Sequence, residues 1–155
     1  MATRARIGFE AQDGTIVSSY HHWDGYPAGL GYNLIRNYSD ADKFREAVAL
    51  GDASHWGSKI YPAGKHSFSA PEEDVNVYYG RDRGEKDTAP VTFTDIEDFA
   101  ANYDRAGEEY AYVLRLDGTL TMFDRYSEQR IEDAEDDIVI ARARAVQEYR
   151  KRVAA

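Results

Sequence analysis

Two short segments of this chain repeat one pattern, and they constrain its fold more than any other feature. Ile7-Gly8-Phe9-Glu10-Ala11-Gln12-Asp13-Gly14-Thr15-Ile16-Val17 and Tyr112-Val113-Leu114-Arg115-Leu116-Asp117-Gly118-Thr119-Leu120-Thr121-Met122 each set an Asp-Gly pair between two β-rich runs. Asp-Gly tolerates the positive φ angles of a tight turn, so each segment reads as a two-residue β-hairpin. The match is too short for a domain duplication; it suits two hairpins of one antiparallel sheet, although the sequence leaves open whether they share it. A further strand is predicted over Asp74-Val75-Asn76-Val77-Tyr78-Tyr79, where Val75, Val77 and Tyr79 alternate with Asn76 and Tyr78. A Gly-Arg-Asp-Arg-Gly turn, Gly80 to Gly84, follows it.

Three helices are predicted. The first covers Leu30 to Leu50 with a break near Ser39-Asp40, Ser39 acting as N-cap, Phe44, Ala47 and Val48 forming the apolar stripe and Gly51 the stop. The second runs from Thr94 to Tyr103, with Thr94 as cap and Glu97 completing a capping box. The third runs over about Ser127 to Val153. There Ile131, Ala134, Ile138, Ala141, Ala145 and Tyr149 recur at steps of three and four, acids crowd the start and bases the end. Its narrow, alanine-rich stripe would pack on the sheet or on a copy of itself, hence an expected homo-oligomer. The stretch from Gly51 to Pro71 reads as an ordered loop, because Trp56, Tyr61 and Phe68 are too apolar to leave in water. The fold class is therefore α+β: an antiparallel sheet of two Asp-Gly hairpins and a further strand, packed with two or three helices including a long C-terminal one. At 155 residues the chain makes a single domain, 1–155.

The net charge of −9 argues against binding nucleic acid through its phosphates. An acidic mimic of nucleic acid stays open, beside the simpler reading of a solvated surface. The chain has no cysteine, which removes disulfides, thiolate metal sites and cysteine nucleophiles and fits a reducing compartment. The N-terminus lacks the apolar core of a signal peptide, and no apolar run approaches the roughly 20 residues that span a bilayer. No membrane partner is expected, and a cytoplasmic location is.

Tyr20-His21-His22-Trp23-Asp24-Gly25-Tyr26-Pro27 is the densest cluster of chemistry-bearing residues, placed where a strand ends. As a ligand site, Trp23 and Tyr26 would stack on a base or sugar, and His22 and Asp24 would read its polar edges. Arg81 and Arg83, with Lys59 and Lys65 nearby in the loop, would hold phosphate. The same Trp-Asp-Gly-Tyr-Pro block also makes a good turn with Asp24 capping and the rings buried, and the Arg pair also suits a solvated role. As metal ligands only His21, His22, Asp24, His55 and His66 come into question. Their spacing matches no strong motif, and adjacent His21 and His22 on a strand point to opposite faces. Ser18, Ser19, Ser54 and Ser67 lie in no nucleophile elbow, and no Walker or dinucleotide-binding loop occurs. Gly29-Leu30-Gly31 could offer backbone N–H groups to an anion, but a plain turn explains it equally. The acidic run from Glu132 to Asp137 reads as the solvated face of the third helix. No catalytic residue, metal or cofactor is assigned.

The order Arg4-Ala5-Arg6-Ile7-Gly8, the Trp-Asp-Gly-Tyr-Pro block, Leu30-Gly31, Gly51-Asp52-Ala53-Ser54 and Gly107-Glu108-Glu109-Tyr110-Ala111-Tyr112 resembles a family of small, uncharacterised proteins of tailed phages, up to about Tyr126. The resemblance carries no activity or site residue; it implies a phage accessory protein working in the bacterial host, against host immunity or metabolism. Combined with the cluster above, it leads to the expectation of a non-catalytic counter-defence module that sequesters a small phosphate-bearing, nucleotide-type molecule. Two alternatives stand beside it. One is an enzyme degrading such a signal, with His21 or His22 as acid or base oriented by Asp24. The other is an acidic inhibitor of a host defence protein acting through the C-terminal helix.

Overall fold

A computed structural model describes residues 2–125 and the backbone of 129–130. The first hairpin is β1 (Ala5–Glu10) and β2 (Ile16–His21). A π-helical turn (Pro27–Gly31) leads into α1 (Tyr32–Asn37) and α2 (Ala41–Ala49), then β3 (Ala53–His55). After the irregular loop come β4 (Val77–Tyr78), α3 (Tyr79–Arg83), β5 (Val91–Phe93) and α4 (Ile96–Asn102). The second hairpin is β6 (Tyr110–Leu114) and β7 (Leu120–Asp124), followed by β8 (Gln129–Arg130).

Both hairpins lie in one sheet, of order β4-β3-β2-β1-β6-β7-β8. They join through β1 and β6, which pair in parallel. β2 and β3 also touch in parallel, at His21 and Ala53, and the remaining pairings are antiparallel. β2's outer edge is divided: Ile16 to Ser18 pair with β5, His21 pairs with β3, and the Tyr20 N–H between them is taken by the Asp52 carboxylate at 2.9 Å.

The hairpin loops have three residues, not two. In each, the Gly N–H returns to the carbonyl three residues earlier (Gly14 to Ala11, Gly118 to Arg115), and Gly14 and Gly118 both sit at φ 87. This is the turn-plus-bulge hairpin. The following threonine explains the choice: Asp13 Oδ1 accepts from both the N–H and the hydroxyl of Thr15, and Asp117 Oδ1 does the same with Thr119. A two-residue loop would leave no room for this Asp-Gly-Thr clasp.

Helix starts differ from expectation in the same way. Asp40, not Ser39, caps α2, accepting from the Asp42 and Lys43 N–H groups. Asp95, not Thr94, caps α4, and the box is closed by Asp98, which accepts from Thr94, rather than by Glu97. A carboxylate one residue on outcompetes a hydroxyl because it is charged and faces the positive helix end. The Gly80–Gly84 turn is a short helix, α3, ended by Gly84 at φ 71. Within the further strand Val75, Asn76, Val77 and Tyr78 are all buried, so it does not alternate. Gln129 and Arg130 pair with β7 as a strand, where the third helix was expected to begin. The rest of that helix lies outside the described residues, as does the acidic run from Glu132 to Asp137.

The sheet is covered on both faces. One face packs Ala5, Ile7, Tyr112 and Leu114 against Leu30 and Leu34, Phe44 and Val48 of α2, and Trp56. The other packs Ile16, Ala111, Val113 and Phe123 against Phe93, Phe99 and Tyr103. The loop from 57 to 75 is tied to the first face by a buried polar chain. Tyr38 Oη lies 2.8 Å from the Gly57 carbonyl and 3.0 Å from Asn76 Oδ1, Asn76 donates to Tyr78 Oη, and Tyr78 donates to the Ala47 carbonyl. Trp56 is buried as expected, but Tyr61 is exposed and donates to Glu46. Among the described residues no helix is long and apolar enough to cross a membrane.

Candidate functional site

The Tyr20 to Pro27 block leaves the sheet at the end of β2 and is held in place by backbone. The His22 and Trp23 N–H groups donate to the Ala53 and Ser54 carbonyls of β3, and the Gly25 N–H donates to Thr3. The Gly25 carbonyl accepts from the buried Tyr112 hydroxyl at 2.7 Å. Position 25 needs glycine because a Cβ there would stand 2.6 Å from Ala5 Cβ and 2.7 Å from the Thr3 carbonyl. Asp24 sits at φ 56, a conformation that costs a non-glycine residue about 1 kcal/mol. Its carbonyl receives the Leu30 N–H from within the π-helical turn, tying that turn back to the strained residue. Strained residues and π-turns concentrate at functional sites, and here they adjoin.

Between this block, the π-helical turn, α1 and β3 lies a cleft of about 470 Å³, lined by His21, Trp23, Asp24, Gly29, Leu30, Asn33, His55 and Trp56. That volume is in the range of small-molecule pockets. Trp23 and Trp56 are the two tryptophans of the chain, and each follows a histidine. Trp23 is 45% exposed at the cleft, whereas Trp56 is buried and packs on Tyr38 and Phe44. Tyr26 is 40% exposed and lies against Gly29.

The two adjacent imidazoles part, as strand alternation requires. His21 opposes Ala5 across the hairpin and shares its buried face. His21 Nε2 lies 2.6 Å from the Trp23 carbonyl, so that nitrogen carries the proton and Nδ1 is left as a buried lone pair without a partner. Burial holds the pKa of His21 down at about 3, against a smaller opposing effect of the Trp23 carbonyl. His22 turns the other way: its Nδ1 meets the Tyr20 hydroxyl at 2.6 Å and its ring stands edge-on to Trp23. His22 does not line the cleft but supports Trp23 from outside. Burial also lowers the pKa of His55, while the charge of Asp24 works in the opposite direction. Among the described residues no three His, Cys, Asp or Glu side chains are grouped to hold a metal ion.

Of the expected binding residues, Trp23 and Asp24 line the cleft, and Tyr26 and His22 flank it. Arg81 and Arg83 are elsewhere. Arg81 is built into the loop: it donates to Asp82, to the Ile60 carbonyl at 2.6 Å and to the Asn76 carbonyl at 2.8 Å, with its guanidinium over the Tyr78 ring. Asp82 in turn accepts from the Tyr78 N–H and faces His66 at 3.2 Å. Arg83 pairs with Glu85 and lies over Phe68 and Tyr79. Arg81→Ala would leave the buried Asp82 carboxylate short of donors, an expected cost of about 2 kcal/mol. Trp23→Ala, at an exposed ring, should cost far less. Thermal unfolding of the two variants compares these directly.

Asn33, His55 and Trp56 were not assigned to the binding site from the sequence. Asn33 Nδ2 donates to the carbonyls of Trp56 and Gly57, so α1 fixes the far wall. The available signal was the His-Trp pair, which occurs at 22–23 and again at 55–56. The chain matches no family model, no curated protein and no solved structure.

Proposed function

We propose that this protein is a non-catalytic binding module that holds the planar part of a small molecule, such as a nucleobase-sized ring, in the cleft between Trp23 and Trp56. The observation that carries this reading is the meeting of both tryptophans of the chain in one cleft beside a buried, half-satisfied histidine. Aromatic platforms bind planar rings at about 1–3 kcal/mol per ring, and a few fixed polar atoms add orientation. Acid–base catalysis by His21 is disfavoured, because an imidazole with a pKa of about 3 forms no imidazolium at neutral pH and is a weak base, and its Nδ1 is buried. An enzymatic reading would rest on His55, which feels the Asp24 charge. Any phosphate on the ligand would lie outside the cleft, since Arg81 has its donors engaged in the loop. Sequestration of a defence signal in a bacterial cytoplasm is what the phage-protein resemblance adds to this reading.

The test is to incubate the protein with a panel of nucleotides and nucleosides, remove free ligand, denature, and identify what is released by mass spectrometry. An intact compound released near stoichiometrically, whose binding shifts tryptophan emission and is lost in Trp23→Ala, is the expected result. A converted product would favour the enzyme. No retained compound and no spectral change would remove this reading.

A further inference from the structure

We infer that the cleft selects a positively charged planar ligand, an organic cation such as a protonated or quaternised heterocycle, over a neutral or anionic one. This deepens the binding reading above and rests on it. Among the described lining residues, Asp24 supplies the formal charge, a carboxylate on an exposed turn, and no lysine or arginine lines the cleft. The two lining imidazoles do not offset it, because burial disfavours the protonated form of both His21 and His55. His21 Nδ1 is moreover a buried lone pair rather than a second N–H, so it brings no donor to an anion. Asn33, the other polar side chain of the lining, has its amide donors engaged by the Trp56 and Gly57 carbonyls. The Trp56 indole N–H is buried without a partner. The Trp23 ring is the exposed indole of the lining, with Trp56 buried behind the cleft wall, and the face of an indole is the most attractive aromatic surface for a cation. The Asp24 carboxylate and the Trp23 indole face are both electron-rich, and a phosphate or carboxylate placed beside them would meet Asp24 without a counter-charge. The chain's net charge of −9 adds a long-range field of the same sign.

A matched pair of probes separates charge from shape: 1-methylnicotinamide, whose ring carries a fixed positive charge, and neutral nicotinamide. Adenosine and AMP provide a second pair, neutral against anionic. Isothermal titration calorimetry on the full chain is expected to give 1-methylnicotinamide at least about tenfold tighter binding than nicotinamide, and adenosine tighter binding than AMP. The preference for the cation should shrink as salt is raised, since an exposed carboxylate is screened. Asp24→Asn should bring the two nicotinamides to within about twofold of each other without loss of the folded state. Equal binding of the pair, or AMP bound more tightly than adenosine, would overturn the charge selectivity while leaving the cleft a binding site. A preference that survives Asp24→Asn would also overturn it. No heat with any of the four probes would overturn the selectivity and count against the binding reading as well.

Discussion

Replacing Glu108 by alanine is expected to destabilise the fold by about 3–5 kcal/mol, the usual cost of leaving one partner of a buried ion pair alone. Glu108 is fully buried, and its Oε2 accepts from Arg6 Nε at 2.9 Å while its Oε1 accepts from the Ala106 N–H. Arg6 lies on β1 and is itself mostly covered; it also donates to the Ser18 hydroxyl and carbonyl, and its charge is felt at the Asp52 carboxylate. Once Glu108 is gone, the serine oxygens carry no charge, and the guanidinium loses its hydrogen-bonded counter-charge and keeps only the Coulombic influence of Asp52. The pair therefore ties the approach to β6 onto the first hairpin through charge as well as through the parallel ladder. Urea unfolding of Glu108→Ala against the parent measures the loss. Arg6→Met combined with Glu108→Leu should recover most of it, because two apolar side chains leave no charge buried. A loss below about 1 kcal/mol in the single variant would mean that water reaches Arg6 and that the pair contributes no more than a surface bridge.

The second large effect is pH dependence from His21. Its folded pKa, about 3, lies below its unfolded value of 6.5, because burial penalises the imidazolium. The unfolded chain therefore binds a proton below pH 6.5 that the folded chain refuses. His21's contribution is neutral above pH 6.5, and stability is lost progressively as the pH falls from there towards 3. The slope approaches about 1.4 kcal/mol per pH unit for one proton, and because the unfolded imidazole is already half protonated at pH 6.5 the fall between pH 6.5 and 4.5 is roughly 2 kcal/mol. His22 and His55, also shifted down by burial, act in the same direction. The carboxylates with lowered pKa act lower down, Glu10 and Glu72 from the bottom of this range and Asp74 and Asp82 below it, while Asp52, whose pKa burial raises, opposes the trend. The comparison with His21→Asn therefore isolates His21 within the window from 6.5 to 4.5. Denaturant unfolding across it should show a clear positive slope of stability against pH, markedly flatter in His21→Asn. An unchanged slope in that variant would place the buried proton-refusing group elsewhere.

The sequence by itself determined the α+β class, both hairpins and helices near α1, α2 and α4. It did so because these depend on local chemistry: Asp-Gly in a turn, period-two alternation, apolar steps of three and four. It also singled out the block containing Trp23 and Asp24, since no other stretch gathers so many functional side chains. It missed by one residue where two local groups compete for the same N–H, as Ser39 does with Asp40 and Thr94 with Asp95. It could not show that the hairpins share a sheet, because the parallel pairing of β1 with β6 joins residues about a hundred apart and leaves no local pattern. The cleft lay beyond it for the same reason. Trp56 and His55 reach Trp23 and His21 only because β3 pairs beside β2, and Asn33 closes the wall only once α1 packs over both. Arg81 shows the converse. Bracketed by glycines it reads as a free fork for phosphate, yet the fold supplies Asp82 and two loop carbonyls that take up its donors. Asp82 is adjacent in sequence, but the Ile60 carbonyl reaches Arg81 only when the loop folds back, so the tertiary structure completes the engagement of its donors.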